Sequence, residues 1–366
     1  MSGGLDSSVA AALLKRAGGD ELRSSSRFAN ARVFDVIGVF MKFWAEPEKN
    51  GLIGASNRCC SPEAELRARK VANILKIPFY VFNFEKEFKK RIVDYFLEGY
   101  KKGITPNPCV VCNKEIKFGL LLEKALALDA DYIATGHYAR IQKKFVNSKQ
   151  IRYSLISAKD KNKDQSYFLW MLNQRQLKRI LFPIGDYTRE EVEKLAKKFK
   201  LPVLKARKSV EICFVQTTIN NFLKKHLKPK PGVIITANGK KIGKHQGLFF
   251  YTIGQRKGIG LPGGPYYVLD KDLKRNLLIV TKNEKDLLKK ELICKNVNWI
   301  SGKVPKLPQK VKVKIRYRHE LARAAIYKIL NTKYKILFSS PQRAITPGQS
   351  VVFYKGEELL GGGIIC

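Results

Sequence analysis

Along the first 140 or so residues, apolar positions fall by turns into short β-branched runs and longer stretches of helical period. Val9-Ala10-Ala11-Ala12-Leu13-Leu14 is an apolar helical stretch. Asp35-Val36-Ile37-Gly38-Val39-Phe40-Met41 is short and rich in branched and aromatic side chains, as a strand buried on both faces should be, and Pro78 to Phe84 is the next strand. Between them Ser61-Pro62-Glu63 opens a helix that runs to about Lys76: serine caps it, proline suits its first position, and glutamate complements its dipole. Phe88 to Tyr100 and Lys114 to Leu128 are further helices, and Tyr132-Ile133-Ala134-Thr135-Gly136 a further strand. This alternation predicts an α/β domain with a doubly wound parallel sheet, its ligand at the carboxyl ends of the strands.

From Lys159 to Lys208 the pattern predicts a polar, helical stretch in which Arg189-Glu190-Glu191-Val192 opens an amphipathic helix. Lys228-Pro229-Lys230-Pro231-Gly232 ends it. Asn238-Gly239 then joins Val233-Ile234-Ile235 to Lys241-Ile242-Gly243 as a hairpin. Leu277 to Val280, Val311 to Arg318, Ala325 to Tyr327, Tyr334 to Phe338 and Ser350 to Tyr354 continue the strands. Many short strands between turns predict a small β domain and then a C-terminal β-barrel, with divisions at 1–222, 223–290 and 291–366. In Val311 to Arg318 a period of two puts Lys312, Lys314, Arg316 and Arg318 on one face, a pattern suited to a phosphate backbone; a merely basic solvent face is the competing reading.

Composition narrows the class. Lys+Arg 70 against Asp+Glu 31 gives a net charge of +39, which favours a polyanionic partner, although lysine bias alone also raises charge. No apolar run reaches membrane-spanning length, and no signal or transit segment precedes the first motif, so a soluble cytoplasmic protein is expected. Seven cysteines, an odd number, argue for metal, redox or catalytic thiols over a disulfide scaffold.

The chemistry begins at Ser2-Gly3-Gly4-Leu5-Asp6-Ser7. Adjacent glycines let consecutive N–H groups turn inward as a nest for anionic oxygens, Ser2 and Ser7 add hydroxyls, and Asp6 or Ser7 is expected to cap the following helix. A phosphate or pyrophosphate is the ligand implied. The loop lacks the lysine of G-x-x-x-x-G-K-[ST] and instead resembles the PP-loop of ATP pyrophosphatases. Such a loop ordinarily follows a buried strand, and only Met1 precedes Ser2. Either another segment holds that place in the sheet, or the natural protein begins upstream of this methionine and the present form binds ATP poorly.

Cys109-Val110-Val111-Cys112, after Thr105-Pro106-Asn107-Pro108, is expected on a stiff loop before a helix, where a thiol gains thiolate character. A zinc ribbon would need a second Cys-x-x-Cys pair, which is missing. Cys213 reads alone as a core thiol, or, beside a nucleotide loop and a thiol pair, as a sulfur carrier. His137 closes a strand, where both a ligand-facing and a packed histidine are at home. Cys59, Cys60, Cys294 and Cys366 have no readable partner spacing.

Six motifs in one order resemble the tRNA-specific 2-thiouridylases: the Ser2 to Ser7 loop, Thr105 through Phe118, Ala134-Thr135-Gly136-His137-Tyr138, Lys163 through Leu169, Ile212-Cys213-Phe214 and Gly254-Gln255-Arg256-Lys257-Gly258. The resemblance implies replacement of the 2-oxygen of wobble uridine 34 by sulfur, with ATP adenylating the carbonyl, and AMP and pyrophosphate released. Ser2, Gly3, Gly4, Leu5, Asp6, Ser7, Met41 and Gly136 would hold ATP, with Mg2+. Cys213 would carry a persulfide, and Cys112 would complete release through a Cys112–Cys213 disulfide. Asn107, Pro108 and Cys109 would surround the base, and His137, Lys163, Asp164, Gln165, Arg316, Tyr317 and Gln349 would touch tRNA. The implied partners are tRNAs for lysine, glutamate and glutamine, and a cysteine desulfurase or sulfur-relay protein as donor. Many relatives carry aspartate at Cys109, so an acid/base carboxylate is missing here, and the three thiols Cys109, Cys112 and Cys213 could instead ligate an iron–sulfur cluster. A lysidine synthetase-like ligase and a noncatalytic RNA-binding protein are the alternatives.

Overall fold

The computed structural model describes residues 1–16, 34–46, 60–147, 150–204, 212–330 and 332–366. Helix α1 (Leu5–Lys15) is buried at Leu5 and from Ser8 through Leu14, because its small and aliphatic side chains let neighbours close on every side. One neighbour is α2 (Pro62–Leu75), capped by Ser61, whose hydroxyl accepts the Ala64 N–H at 3.2 Å, and closed by Lys76 in the left-handed conformation. Strand β1 (Gly38–Lys42) pairs in parallel with β2 (Phe79–Asn83), Gly38 opposite Phe79. Next come α3 (residues 85–101), which includes a π-type stretch at Lys89–Val93, and α4 (residues 108–126), with another at Asn113–Leu120. Strand β3 keeps only Ile133–Ala134 of the five residues expected.

The expected parallel sheet is present in two pieces. β3 pairs in parallel with β6 (Ile180–Leu181), and among the described residues no ladder links that pair to β1 and β2. The Met1 ammonium donates to the Val39 carbonyl on β1. Burial on both faces does not hold for these strands: Tyr80 and Val81 on β2 are exposed, and Ile37 lies outside β1 and is exposed too. The polar stretch after Lys159 is less helical than its composition suggests. It holds a short turn at Ser166–Leu169, α5 (Gln174–Lys178) and α6 (Arg189–Lys198), and α6 packs on α1. Residues 205–211 lie outside the described residues.

A hairpin of β4 (Ala139–Asn147) and β5 (Gln150–Ser157) was not legible, because charged residues crowd its outer positions. It reaches out of the first domain: β5 pairs with the last strand, β16 (Glu358–Ile365), through Ile156 opposite Glu358. Glu358 there accepts Lys144, Arg152 and Ser154, each within 2.9 Å.

Helix α7 (Ile219–His226) leads to the small β domain. There β7 (Gly232–Thr236) and β8 (Lys241–His245) form the expected hairpin, Gly239 supplying φ +82° at the turn. Strands β9 (Tyr267–Asp272) and β10 (Leu277–Thr281) complete that sheet. The barrel is β11 (Leu288–Trp299), β12 (Gln309–Lys314), β13 (Ala322–Leu330), β14 (Lys333–Arg343), β15 (Ser350–Lys355) and β16, ordered β11-β14-β13-β12-β15-β16 and closed by β11 on β16. Leu292, Val313, Ile326, Ile336, Val351 and Phe353 fill it. Strand β12 ends at Lys314, so Arg316 and Arg318 are not on its outer face with Lys312. The chain turns at residues 315–319, and the Arg316 N-terminal neighbour Ile315 is drawn inward.

Candidate active site

Gly3 takes φ +66°, and a Cβ there would stand 2.1 Å from the Ala64 carbonyl oxygen of α2, so both the dihedral and the contact demand glycine. Gly4, extended at φ −94°, is the cap of α1; the helix starts earlier than a capping Asp6 or Ser7 would set it. Freed from capping, Ser7 closes the loop. Its Oγ accepts the Ser2 N–H at 3.1 Å and lies 3.2 Å from Ser2 Oγ. Arg67 Nε donates to the Gly3 carbonyl and Ser8 Oγ to the Gly4 carbonyl, so the loop's carbonyls are occupied while first-turn N–H groups of α1 lack helical acceptors. Gly136, just past β3, presses against this turn: a Cβ on it would meet Ser7 N at 2.6 Å.

Asp6 sits in the first turn, where the dipole favours a carboxylate. Tyr138 Oη donates to its Oδ1 at 3.1 Å and Arg189 Nη1 at 2.9 Å. Burial raises its pKa, and Arg189 opposes that. Neither partner was assigned from sequence. Tyr138 belongs to the Gly136-His137-Tyr138 run, whereas Arg189 opens α6 and meets Asp6 across a separation of 183 residues, which leaves no local signal.

The cysteine pair is in a helix, not before one. Asn107 caps α4, its Oδ1 accepting the Val110 N–H at 3.4 Å, and Pro108 takes the first helical position. Cys109 follows, half-buried, and Cys112 lies a turn later, buried. The barrel holds the approach to this helix: Thr105 N–H donates to the Pro347 carbonyl at 2.9 Å, and Gln349 Nε2 donates to the Thr105 carbonyl at 2.8 Å.

One cleft of about 2330 Å³ gathers these pieces. Ser2, Gly4, Asp6 and Ser7 line it with Met41 and Gly136; Asn107, Pro108, Cys109, Cys112 and Cys213 line it further along; Arg316, Tyr317 and Gln349 face it from the barrel. A smaller cavity of about 370 Å³ lies where the three domains meet, among Thr105, Thr252, Gln255, Arg316 and Gln349. The thiols share the cleft without forming a cluster site: among the described residues no three His, Cys, Asp or Glu side chains are grouped to hold a metal.

The residues assigned to tRNA differ in their surroundings. Lys163 is exposed on the cleft wall, and Gln165 beside it accepts the Tyr138 N–H at 3.0 Å. Asp164 is buried away from the cleft lining, its carboxylate accepting the Ala158 and Ser166 N–H groups and the Ser166 hydroxyl. It ties the turn together. His137 is buried between the Phe118 and Phe182 rings, with Nδ1 2.7 Å from Thr135 Oγ1. Burial, and then the charge of Lys117, hold its pKa well below the ordinary value, so the ring is neutral at physiological pH. Arg316 Nη2 donates to the Ala344 carbonyl at 2.6 Å and to Thr346 Oγ1 at 3.0 Å, and the Tyr317 ring lies 4.5 Å from that of Phe168.

Three family models match the chain: the tRNA methyl transferase HUP domain over residues 1–217, the tRNA methyl transferase PRC-barrel domain over 220–282, and the aminomethyltransferase beta-barrel domain over 289–365. Similar proteins are the tRNA-specific 2-thiouridylase MnmA of Clostridioides difficile (strain 630), 44% identical over 100% of this chain and 96% of that protein, and MnmA 2 of Thermoanaerobacter sp. (strain X514), 46% identical over the same shares. A third, MnmA of Moorella thermoacetica, is 45% identical over 100% of this chain and 98% of its own length. With the nucleotide-type loop, the thiols and the barrel on one cleft, and with relatives matched from end to end, the chain belongs to the tRNA-specific 2-thiouridylase family.

Proposed function

We propose that this protein is a cytoplasmic enzyme that exchanges the 2-oxygen of a wobble uridine in tRNA for sulfur at the expense of ATP. The observation that carries the reading is the single cleft shared by the Ser2 to Ser7 loop, Cys112, Cys213 and the barrel's Arg316 and Tyr317. A lysidine synthetase-like ligase would have no use for cysteines beside the nest, and a noncatalytic RNA-binding protein no use for the nest.

The nest fits a polyphosphate. Gly3, Gly4 and Ser7 offer N–H donors and Ser2 a hydroxyl at a helix start, and the bare Gly136 backbone approaches closely enough to wall the site. Leu5 and Met41 line the cleft too, and Asp6 is the carboxylate that would hold a Mg2+ arriving with the nucleotide. Adenylation of the uracil O2 turns that oxygen into part of an AMP leaving group. Cys213, charged as a persulfide by a desulfurase or relay protein, attacks C2 with its outer sulfur while AMP departs. Cys112 thiolate then attacks Cys213 Sγ, the S–S bond to the base breaks with its electrons going to the thiocarbonyl sulfur, and a Cys112–Cys213 disulfide remains for a thiol reductant to reset. Cys109, a residue from Cys112's turn and half-buried on the cleft, takes the acid/base place. Lysine, glutamate and glutamine tRNAs are the substrates in this reading.

Replacing Cys213 by serine removes only the carrier atom. Cys213→Ser is expected to bind ATP and tRNA as the parent does and to form no 2-thiouridine, read by mass spectrometry of digested tRNA. Normal thiolation by that variant would refute the persulfide role.

A further inference from the structure

Asn113 follows Cys112 on α4, lines the same cleft and is only 3% exposed. Its Nδ2 donates to the Phe168 carbonyl at 3.1 Å. That bond fixes the amide's orientation, since turning it over would set oxygen against oxygen. Oδ1 is left buried and, among the described residues, without a donor. An unpaired buried acceptor is costly, and a folded protein tolerates one where a ligand completes the bond. The oxygen can only accept, so the missing partner is an N–H or O–H group.

From this geometry we propose that Asn113 selects uracil, its Oδ1 accepting the N3–H of the target base. The inference rests on the function proposed above and deepens it to base choice. Uracil carries its one ring N–H donor at N3, between two carbonyls, whereas cytosine presents a bare acceptor at that position and would face Oδ1 lone pair to lone pair. The same carbonyl that orients Asn113 belongs to Phe168, whose ring stands against Tyr317 on the cleft wall, an aromatic surface on which an unstacked base can lie. Asn113 thus joins the stacking wall to the cysteine helix. It is a specificity residue that takes no part in sulfur transfer.

The test uses the full chain and anticodon hairpins carrying uridine or cytidine at the target position, with affinity read by fluorescence anisotropy. The wild type is expected to prefer uridine by roughly tenfold or more, the discrimination typical of one buried base-edge contact. Asn113→Ala is expected to bind the two hairpins equally, with ATP affinity as the check on folding. Asn113→Asp keeps an acceptor in place but loses the bond to Phe168, and it is expected to retain the preference for uridine. A residue that merely held Phe168 would fail equally as Asp and as Ala. Undiminished discrimination in Asn113→Ala, or its equal loss in Asn113→Asp, overturns the assignment while thiolation by the wild type leaves the proposed function standing. A wild type that neither thiolates nor prefers uridine overturns both.

Discussion

Gly136 shows how a single residue is fixed by contact. No turn requires it; what requires it is the first turn of α1, which comes so close that a methyl group would overlap Asp6 C and Ser7 N, both at 2.6 Å. Neither backbone can yield without moving the Ser2 to Ser7 loop. Gly136→Ala is therefore expected to weaken ATP binding by roughly tenfold or more, in line with an overpacking cost of about 1–3 kcal/mol, measured by calorimetric titration. Unchanged affinity would mean that the loop is not the nucleotide site. The glycine pair at Gly3 and Gly4 was legible in sequence because glycine has few other uses in such a run. The role of each neighbour was not. Asp6 and Ser7 are both good caps by type, yet Gly4 caps and leaves them to Arg189 and Ser2, partners that only the folded chain brings near.

At the level of elements, those carrying their own punctuation were readable: Ser61-Pro62 opens a helix and Asn238-Gly239 turns a hairpin, and the structure follows both. The cysteine helix was set too late because Asn107-Pro108 reads equally as a stiff loop and as a cap with proline at the first position. Strand β12 was set too long for the opposite reason. Its alternation continues in the sequence past Lys314, but the chain turns there and Arg316 is claimed by the Ala344 carbonyl and Thr346. The two cations should consequently behave differently. Lys312→Ala, on the exposed face, is expected to lower the log–log salt slope of tRNA binding by about one unit if it neutralises one phosphate. Arg316→Ala is expected to lower the melting temperature as well, because two acceptors lose their donor. Equal slopes and equal melting temperatures for both variants would return the strand to a merely basic face.

For the whole molecule, three domains were legible from the change of hydrophobic period along the chain, but not the way they are joined. The β4–β5 hairpin extends the barrel sheet from within the first domain, through pairings that depend on residues about 200 positions away and leave no local signal. Gln349 entered as a tRNA contact through the family resemblance; its amide also holds the Thr105 carbonyl at the foot of the cysteine helix, a tie between barrel and first domain that leaves no local signal. A net charge of +39 suits a polyanionic partner. The central claim is that ATP cleavage, the two thiols and tRNA meet in one cleft. It is tested most directly by incubating the protein with tRNA, Mg-ATP and a persulfide donor, and measuring 2-thiouridine by mass spectrometry alongside the nucleotide products. The account predicts tRNA-dependent formation of AMP and pyrophosphate in step with 2-thiouridine at the wobble position. ADP as the product, or AMP formed with no sulfur entering the tRNA, would contradict it.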